Sequence, residues 1–194
     1  MEEELIKQPG SPFENTPETA ESSSGAEQPE AISEPQLAGN GNRVLSVLRT
    51  VVAPQIVEFG GRDDIPWIKI PANQLGEIAQ TCKDHEDLQM NMLHCLLAVD
   101  YQDYIEVVYI LFSLILDHKL MLKVHLPMSD PDAKLKLDSV SNIWGAAEWY
   151  ERETHDLFGV EFDGNPNLKP LLLYDGFEGF PGRKNFPLPV YKEY

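Results

Sequence analysis

Apolar residues recur at helical spacing in three stretches of the chain, which predicts three helices. The first begins at Asn42, whose side chain can cap a helix, and stops before Pro54. Its apolar positions are Val44, Val47, Leu48 and Val51. The second ends at the charged run KDHED, and its apolar stripe consists of Leu75, Ile78, Ala79 and Cys82. The third runs through NIWGAAEWYERE, and its candidate caps are Asp138, Ser139 and Ser141.

Between these stretches the pattern changes to that of strands. QIVEF and PWIKI form two short candidate strands around the turn-forming GGRDD. We expect a buried strand in the second half of MLHCLLAVDY, and another in YIEVVYILFSLIL. KLMLKVHLP alternates apolar and polar positions, and Asp117 and His118 are expected to turn it back on the preceding strand as a hairpin. The stretch MSDPDAKLKLD is interpreted as a loop.

This order of elements predicts an α+β (mixed α/β) fold with a small sheet, helices packed on it and an extended irregular C-terminal arm. Three regions follow. Residues 1–41 are rich in Glu, Pro and Ser and are expected to be a disordered acidic extension. Residues 42–160 form the core domain, and residues 161–194 form the C-terminal docking arm.

The C-terminal arm combines residues that break regular structure with residues that avoid water. Residues 164–194 contain four glycines and five prolines together with six aromatic residues. Glycine and proline disfavour helix and central strand, whereas the aromatic content disfavours disorder. We therefore expect the arm to lie on a protein surface, partly that of its own domain and partly that of a neighbour.

Charge and composition exclude several classes of protein. The formal net charge is −17, with −8 in residues 1–40, −10 in residues 41–163 and +1 in residues 164–194. Such acidity disfavours binding to nucleic acid, which requires a basic face. The longest apolar run, residues 107–116, is about half of what a membrane helix needs. The acidic N-terminus also disfavours an organellar transit peptide, and the two cysteines, Cys82 and Cys95, are expected to be free thiols.

The charged run EWYERETHD is the strongest candidate for chemistry. Glu151 and His155 are four residues apart and could share a helix face as metal ligands. Helical di-iron sites, however, use Glu-x-x-His on two helices, and the zinc motif HExxH is absent, so a metal site is disfavoured. An acid/base pair of Glu153 and His155 would make the chain a free-standing enzyme, which is the alternative hypothesis. Because aromatic residues surround these charges, specific pairing within the fold or across an interface is favoured.

The segment ERETHDLFGVEFDGNPNLKPLLLYDGFEGFPGRKNFPL resembles the thirty-kilodalton subunit of respiratory complex I, the NADH:quinone oxidoreductase. The resemblance extends over residues 42–190, and the chain departs from the family pattern at Pro170, Gly182 and Asn185. The matching positions, interpreted as signature and subunit-interface residues, are Glu151, Arg152, Glu153, Asp156, Phe158, Gly159, Gly164, Pro166, Leu168, Gly179, Pro181, Arg183 and Lys184.

This resemblance implies a structural subunit of the quinone-reducing module in the peripheral arm of a proton-pumping NADH:quinone oxidoreductase. It implies no catalytic, cofactor-binding or metal-binding residue in this chain, because NADH, FMN, iron–sulfur clusters and quinone are used by other subunits. The implied partners are the large quinone-cavity subunit and the iron–sulfur subunits, at the cytoplasmic face of a prokaryotic plasma membrane. Arg183 and Lys184 are expected to pair with acids of a partner. An equivalent subunit of a complex-I-like membrane-bound hydrogenase or of another donor dehydrogenase is the alternative.

Overall fold

The computed structural model describes residue 37, residues 39–128 and residues 135–187 of the chain. Most of the predicted N-terminal extension, residues 129–134 of the predicted loop and the end of the predicted arm from residue 188 lie outside the described residues. In chain order the helices and strands are α1 (Asn40–Val51), β1 (Glu58–Arg62), β2 (Ile65–Ile70), α2 (Leu75–Asp84), β3 (Met92–Asp100), β4 (Tyr104–Ser113), β5 (His118–Pro127), β6 (Leu135–Asp138), α3 (Ala147–Phe158) and β7 (Val160–Asp163).

Five strands form the main sheet, in the order β1-β2-β5-β4-β3. Strands β2 and β5 pair in parallel, with Ile68 opposite Leu122, and the other neighbours are antiparallel. A second sheet consists of β6 and β7, which are also parallel. The predicted α+β class, with a small sheet and packed helices, is confirmed.

The core lies between one face of the main sheet and the helices. Leu122 and Val124 of the central strand β5 are fully buried, as are Leu48 of α1 and Ile78 of α2. Alternation along β5 places every second side chain in this core, as its apolar/polar pattern predicts. None of the described helices is long and apolar enough to cross a membrane.

The first hairpin forms as predicted, but its first strand lies three residues later than expected. Gly60 and Gly61 lie inside β1 rather than in the turn, which is made by Asp63 and Asp64, with Asp63 at φ 56°. A side chain at Gly60 would collide with the ring of Trp67 on the paired strand, since a Cβ there would lie 2.4 Å from it. The glycines therefore serve strand packing here and do not mark a turn.

Strand β3 corrects another expectation. It spans the whole of MLHCLLAVD and lies at the edge of the sheet, where Leu97 and Val99 are each 36% exposed. The expectation of a buried strand fails because apolar content does not distinguish an edge strand from a central one. In the next hairpin His118 belongs to β5 and is buried, so Asp117, at φ 49°, makes the turn without it.

Strands β6 and β7 were not predicted. The stretch interpreted as a loop contains β6, whose Leu135 and Leu137 are buried. Its partner β7 lies 25 positions further along the chain, so no local turn signals the pairing. Strand β7 also runs across the boundary predicted at residue 160, and the irregular C-terminal segment begins after Asp163.

Two helix starts differ from the prediction. Helix α1 begins at Asn40, and the Asn42 amide donates to the Leu37 carbonyl instead of capping the helix. Helix α3 begins only at Ala147, after turns that contain Ser141 and Ile143, and continues to Phe158. None of the three candidate caps makes a capping hydrogen bond to it.

Replacing Leu122 by alanine tests the position of this core. Leu122 is fully buried on the central strand, so Leu122→Ala should lower the free energy of unfolding by about 2–5 kcal/mol. Leu114→Ala is the control, because Leu114 is 64% exposed and should change stability by less than about 0.5 kcal/mol. Denaturant unfolding of both variants provides the measurement, and equal effects would contradict the assignment of the core.

Candidate functional site at the end of helix α3

Glu151 is a buried carboxylate that joins three parts of the chain. It lies on α3 with no exposed surface, and it accepts hydrogen bonds from the Ser139 hydroxyl, at 2.7 Å, and from the Val140 N–H, at 2.8 Å. The Asn165 amide donates a third bond at 2.7 Å. Burial raises the pKa of Glu151, although these three donors act in the opposite direction. Glu151 therefore ties the residues after β6 and β7 to the middle of α3.

Asp156 anchors the irregular C-terminal segment one turn further along α3. Its Oδ2 atom accepts hydrogen bonds from the backbone N–H groups of Leu171, Leu172 and Leu173 at 3.1, 2.7 and 2.8 Å. Burial by itself raises the pKa of Asp156, but the three N–H donors outweigh it, so the pKa lies below its ordinary value. A carboxylate thus supplies the acceptors that a segment without regular structure cannot supply for itself.

The C-terminal segment in turn completes the end of α3. Gly159 ends the helix in the left-handed conformation, at φ 70°, and its N–H bonds the His155 carbonyl. The carbonyl of Leu157 accepts from the Gly182 N–H at 2.9 Å, and that of Phe158 accepts from Nε of Arg183 at 2.8 Å. Carbonyls at a helix C-terminus lack partners within the helix, so residues from more than twenty positions downstream act as the cap.

Two glycines permit this close contact. A side chain at Gly159 would collide with the Phe180 ring, with a Cβ only 2.5 Å from it. A side chain at Gly182 would lie 2.9 Å from the Leu157 carbonyl oxygen and from the Phe158 ring. Glycine at position 182, where the sequence departs from its family pattern, is therefore required by the approach of the segment to the helix.

Arg183 lies at the end of α3, and its pairing with an acid of a partner stays a prediction. Arg183 is only 5% exposed, and its Nε donates a hydrogen bond to the Phe158 carbonyl. Its guanidinium lies over the Phe180 ring, 4.7 Å from the ring centroid. A cation at a helix C-terminus is also favoured by the helix dipole. The side chain of Lys184 is exposed, whereas its backbone N–H donates to Asp100 at 2.8 Å.

Arg152 holds the beginning of the same segment. Its Nε and Nη2 atoms donate to the carbonyls of Lys169 and Pro170, each at 3.1 Å, and its guanidinium lies 5.0 Å from the Trp149 ring. Pro170, a second departure from the family pattern, thus offers its carbonyl to the arginine of the signature. The contact needs no side chain at position 170.

The turn after β7 brings further signature residues together. Gly164 has φ 96°, and Asn165 caps its own turn by accepting from the Asn167 N–H at 2.9 Å. Pro166 is exposed in this turn, and Leu168 packs against the core. These residues direct the chain from the small sheet onto α3.

Aromatic side chains stabilise the distal part of the segment. The Phe177 ring stacks on Phe186 with centroids 5.9 Å apart and meets Tyr174 edge-on at 5.4 Å. Gly179, at φ 90°, lies against the Phe186 ring, and Pro181 is half-buried. A small cavity of about 150 Å³ remains between these rings and the His155 and Asp156 end of α3.

The geometry gives no support to an acid/base pair of Glu153 and His155. The two residues are two positions apart on a helix and do not face each other. Nδ1 of His155 donates to the Val160 carbonyl at 2.9 Å, while Glu153 is exposed. Within residues 39–128 and 135–187, no group of three His, Cys, Asp or Glu side chains is arranged to hold a metal ion.

Asp100 belongs to the site, although it was not among the predicted site residues. It ends β3, is 6% exposed, and accepts from the Gln102 N–H and the Lys184 N–H on its two oxygens. Its signals in the sequence are its place at the end of an apolar strand and the stretch AVDY, which suits the family pattern. Both cysteines are free thiols, and burial raises the pKa of the Cys82 thiol to about 12.

Fold and site together define a class of α+β domain in which buried carboxylates of the last helix hold an irregular C-terminal segment. The same segment exposes large apolar groups outward. Leu172 is 60% exposed and Tyr174 71% exposed, and Trp149 on the neighbouring helix surface is 56% exposed.

Comparison with known proteins identifies the family. The sequence model of "Respiratory-chain NADH dehydrogenase, 30 Kd subunit" matches residues 68–192. An NADH-quinone oxidoreductase subunit of Rhizobium etli (strain CIAT 652) is 33% identical over 141 residues, which are 71% of this chain and 73% of the relative. The chain belongs to the family of the thirty-kilodalton complex I subunit, and the resemblance found in the sequence is confirmed.

Two solved structures share the fold. A chain of the membrane-bound sulfane sulfur reductase, an archaeal respiratory membrane complex, matches with a TM-score of 0.66 and 28% identity over 77% of this chain and 87% of that chain. The trypsin-resistant fragment of Nqo5 matches with a TM-score of 0.53 and 27% identity, over 66% of this chain and 98% of the fragment.

Asp156→Asn tests the anchoring role of the carboxylate. The free energy of unfolding of the variant should be about 1–2 kcal/mol lower than that of the wild type at neutral pH, because hydrogen bonds to a charged acceptor are stronger than those to a neutral one. The folded-state pKa of Asp156 is lowered, so its contribution is complete above the unfolded pKa of about 3.9 and is lost as the pH falls through the folded pKa. The difference between wild type and variant, measured by denaturant unfolding, should therefore shrink below about pH 4.

Asp175→Asn is the matched control, since Asp175 is an exposed aspartate of the same segment. It should leave stability unchanged at every pH. A difference for Asp156→Asn that stays constant down to about pH 2 would contradict the ionised anchor.

Gly159→Ala tests the junction of helix and segment. A side chain at φ 70° costs about 1–2 kcal/mol, and displacing Phe180 adds to this cost, so thermal unfolding should begin at lower temperature. Gly145→Ala is the control, because a Cβ at Gly145 meets nothing within 4 Å. Limited proteolysis should cut the Gly159→Ala variant first within residues 164–187, and unchanged resistance there would show that the segment does not depend on this contact.

Proposed function

We propose that this chain is a non-catalytic structural subunit in the quinone-reducing module of a proton-pumping NADH:quinone oxidoreductase. Other subunits of the peripheral arm would carry NADH, FMN, the iron–sulfur clusters and quinone. The proposal rests on family membership together with one observation at the site. The signature carboxylates Glu151 and Asp156 are engaged in hydrogen bonds that hold the C-terminal segment and the residues around it in place. Its role would be to hold neighbouring subunits in position.

The use of the polar groups supports a structural role. Glu151 receives three hydrogen bonds and Asp156 another three, all from neutral donors of the same chain. Carboxylates engaged in this way are poor general bases, because a catalytic base needs a pKa near the operating pH and access to substrate. The described residues assemble no alternative constellation around Glu153 and His155.

The proposed contact with partners is the outward side of the anchored segment. Leu172 and Tyr174 extend from backbone that Asp156 and the aromatic cluster hold in place, and Trp149 lies on the adjoining helix. Large apolar side chains presented on fixed backbone lose little conformational entropy on binding, and aromatic residues are enriched where interfaces are strongest. Exposed Lys184 and Glu153 would supply polar contacts at the rim.

We assign this contact to the large quinone-cavity subunit, with the iron–sulfur subunits nearby. The assembly would place the chain peripherally at the cytoplasmic face of a prokaryotic plasma membrane. We keep the division into a core domain, predicted as residues 42–160, and a docking arm, predicted as residues 161–194. Because β7 belongs to the core, the boundary moves to Asp163.

A second candidate shares the structural role and differs in the electron donor. The similarity to a chain of the membrane-bound sulfane sulfur reductase, at 28% identity and a TM-score of 0.66, favours an equivalent subunit in a complex-I-like enzyme. Donor-dependent reduction of quinone by the purified complex distinguishes the two, since NADH supports turnover only in the first.

Leu172→Lys tests the docking surface. A lysine on an apolar contact should reduce the amount of intact complex at least about tenfold, equivalent to ~1.4 kcal/mol of binding free energy. The complex is measured on native gels of solubilised membranes by NADH oxidation and by a tag on this chain. The isolated chain should unfold at the same temperature as wild type, because the Leu172 side chain is exposed and only its N–H is bonded.

Val57→Lys is the control, since Val57 is 64% exposed and lies outside the C-terminal segment. It should leave the complex intact. If the tagged wild-type chain never migrates with a membrane oxidoreductase, the structural-subunit proposal fails. If Leu172→Lys assembles normally, the proposal stands but the contact lies elsewhere.

A further inference from the structure

The main sheet has a second face that no helix in the described part of the chain covers. Buried positions such as Ile68, Leu122 and Tyr109 point toward the helices, and the alternating positions point away from them. On this open face β5 presents Met121, Lys123 and His125, and β2 presents Trp67 and Lys69.

One half of the open face is apolar. A groove of about 450 Å³ lies where β3, β4 and β5 meet the β4–β5 loop. The residues that line it are Met92, His94, Ile110, Leu111, Phe112, Leu114 and Lys119. Next to the groove, Leu97 and Val99 of the edge strand are each 36% exposed, and Ile115 of the loop is 67% exposed. Contiguous exposed apolar surface of this kind marks an interaction site.

The charges on this face oppose those of the whole chain. Its strand positions hold the four cations Arg62, Lys69, Lys119 and Lys123 and the two anions Glu58 and Glu106, a balance of +2, which falls to +1 when Asp63 of the β1–β2 turn, 3.9 Å from Arg62, is included. The chain as a whole carries −17. Lys69 pairs with Glu58 at 2.6 Å and Lys123 with Glu106 at 3.3 Å, while His125 also bonds Glu106 at 2.7 Å. A partner with apolar groups bordered by carboxylates would therefore be complementary.

A helix is the element that suits this face. Helices pack on sheets through one apolar stripe, and the opposite face of this sheet already carries helices in that way. A helix with one apolar stripe would fill the groove and complete a three-layer arrangement.

Other occupants fit less well. Two copies of the chain would bring like-charged faces together, which is unfavourable. An anionic membrane would attract this face, but a chain with a net charge of −17 is repelled by such a surface. Apolar content and local charge together favour an acidic protein helix.

We propose that the open face of the main sheet, centred on the groove between β3 and β5, binds an acidic amphipathic helix of a partner subunit. This surface is separate from the C-terminal segment, and it adds a second contact to the proposed function. Lys119 would pair with a carboxylate of that helix, and Leu97 and Leu114 would contact its apolar stripe.

Cysteine accessibility in native membranes tests the surface on the full chain. In a Cys95→Ser background, maleimide should label Leu97→Cys and Leu114→Cys at least about tenfold more slowly than Val57→Cys, relative to denatured samples. Val57 and Leu114 are both 64% exposed in this chain, so these two positions are matched, and Leu97, which is 36% exposed, is a second probe of the same face. Equal labelling at all three positions would overturn the proposal. Leu114 lies in a loop, so it remains informative if Leu97→Cys disturbs the strand.

A photoactivated cross-linker at Leu114→Cys, followed by mass spectrometry, identifies the occupant. The expected cross-linked peptide belongs to another protein and has apolar residues at helical spacing with neighbouring Asp or Glu. Cross-links to a second copy of this chain, or to phospholipid alone, would contradict the assignment. Lys119→Glu should restore labelling at position 114, whereas Lys119→Arg should leave it protected.

The two proposals can fail separately. If the face is protected from labelling but the chain belongs to no membrane oxidoreductase, the proposed function is refuted and the proposed helix-binding surface stands. A fully labelled face in an active, intact complex would remove this surface and retain the function.

Discussion

Three backbone N–H groups of an irregular segment point at one oxygen of Asp156, and this interaction anchors the C-terminal segment of the structure. A segment rich in glycine and proline has no ladder or helix to satisfy its backbone, so its polar groups need partners from elsewhere. Helix α3 has the complementary need, because its last carbonyls lack donors. Each supplies what the other lacks: the helix provides a carboxylate, and the segment provides the Gly182 N–H and the Arg183 guanidinium.

Two carboxylates on the same helix illustrate how burial and hydrogen bonding compete. Both receive three donors, yet the pKa of Glu151 is raised and that of Asp156 is lowered. Glu151 has no exposed surface, so the loss of hydration prevails, whereas Asp156 keeps 7% exposure and is bonded entirely by backbone N–H groups. Two carboxylates from the same charged run of the family signature therefore both hold the fold together, although their pKa values are shifted in opposite directions.

Much of the fold follows from the sequence because its elements have strong periodicity. The stripe of Leu75, Ile78 and Cys82 defines α2, and the alternation in KLMLKVHLP defines β5. The pairing of β6 with β7 and the parallel pairing of β2 with β5 were beyond local patterns, because both join residues that are distant in the chain. The contact of Arg183 with the Phe158 carbonyl was beyond local patterns for a related reason, because the two residues are 25 positions apart in the chain. The signature motif located the site residues as a group. Only the three-dimensional structure shows which of them anchor the C-terminal segment through buried hydrogen bonds and which are exposed at the surface.

The distance along the chain between α3 and its cap has a consequence for biosynthesis. A nascent polypeptide that has reached Asp163 contains every described strand and helix, but the carbonyls of Leu157 and Phe158 still lack the donors that come from Gly182 and Arg183. Until those residues leave the ribosome, the end of the helix is open to water and to competing donors. Completion of the domain and display of the outward apolar groups are therefore a single late event, so the chain offers Leu172 and Tyr174 in fixed positions only once its own fold is closed.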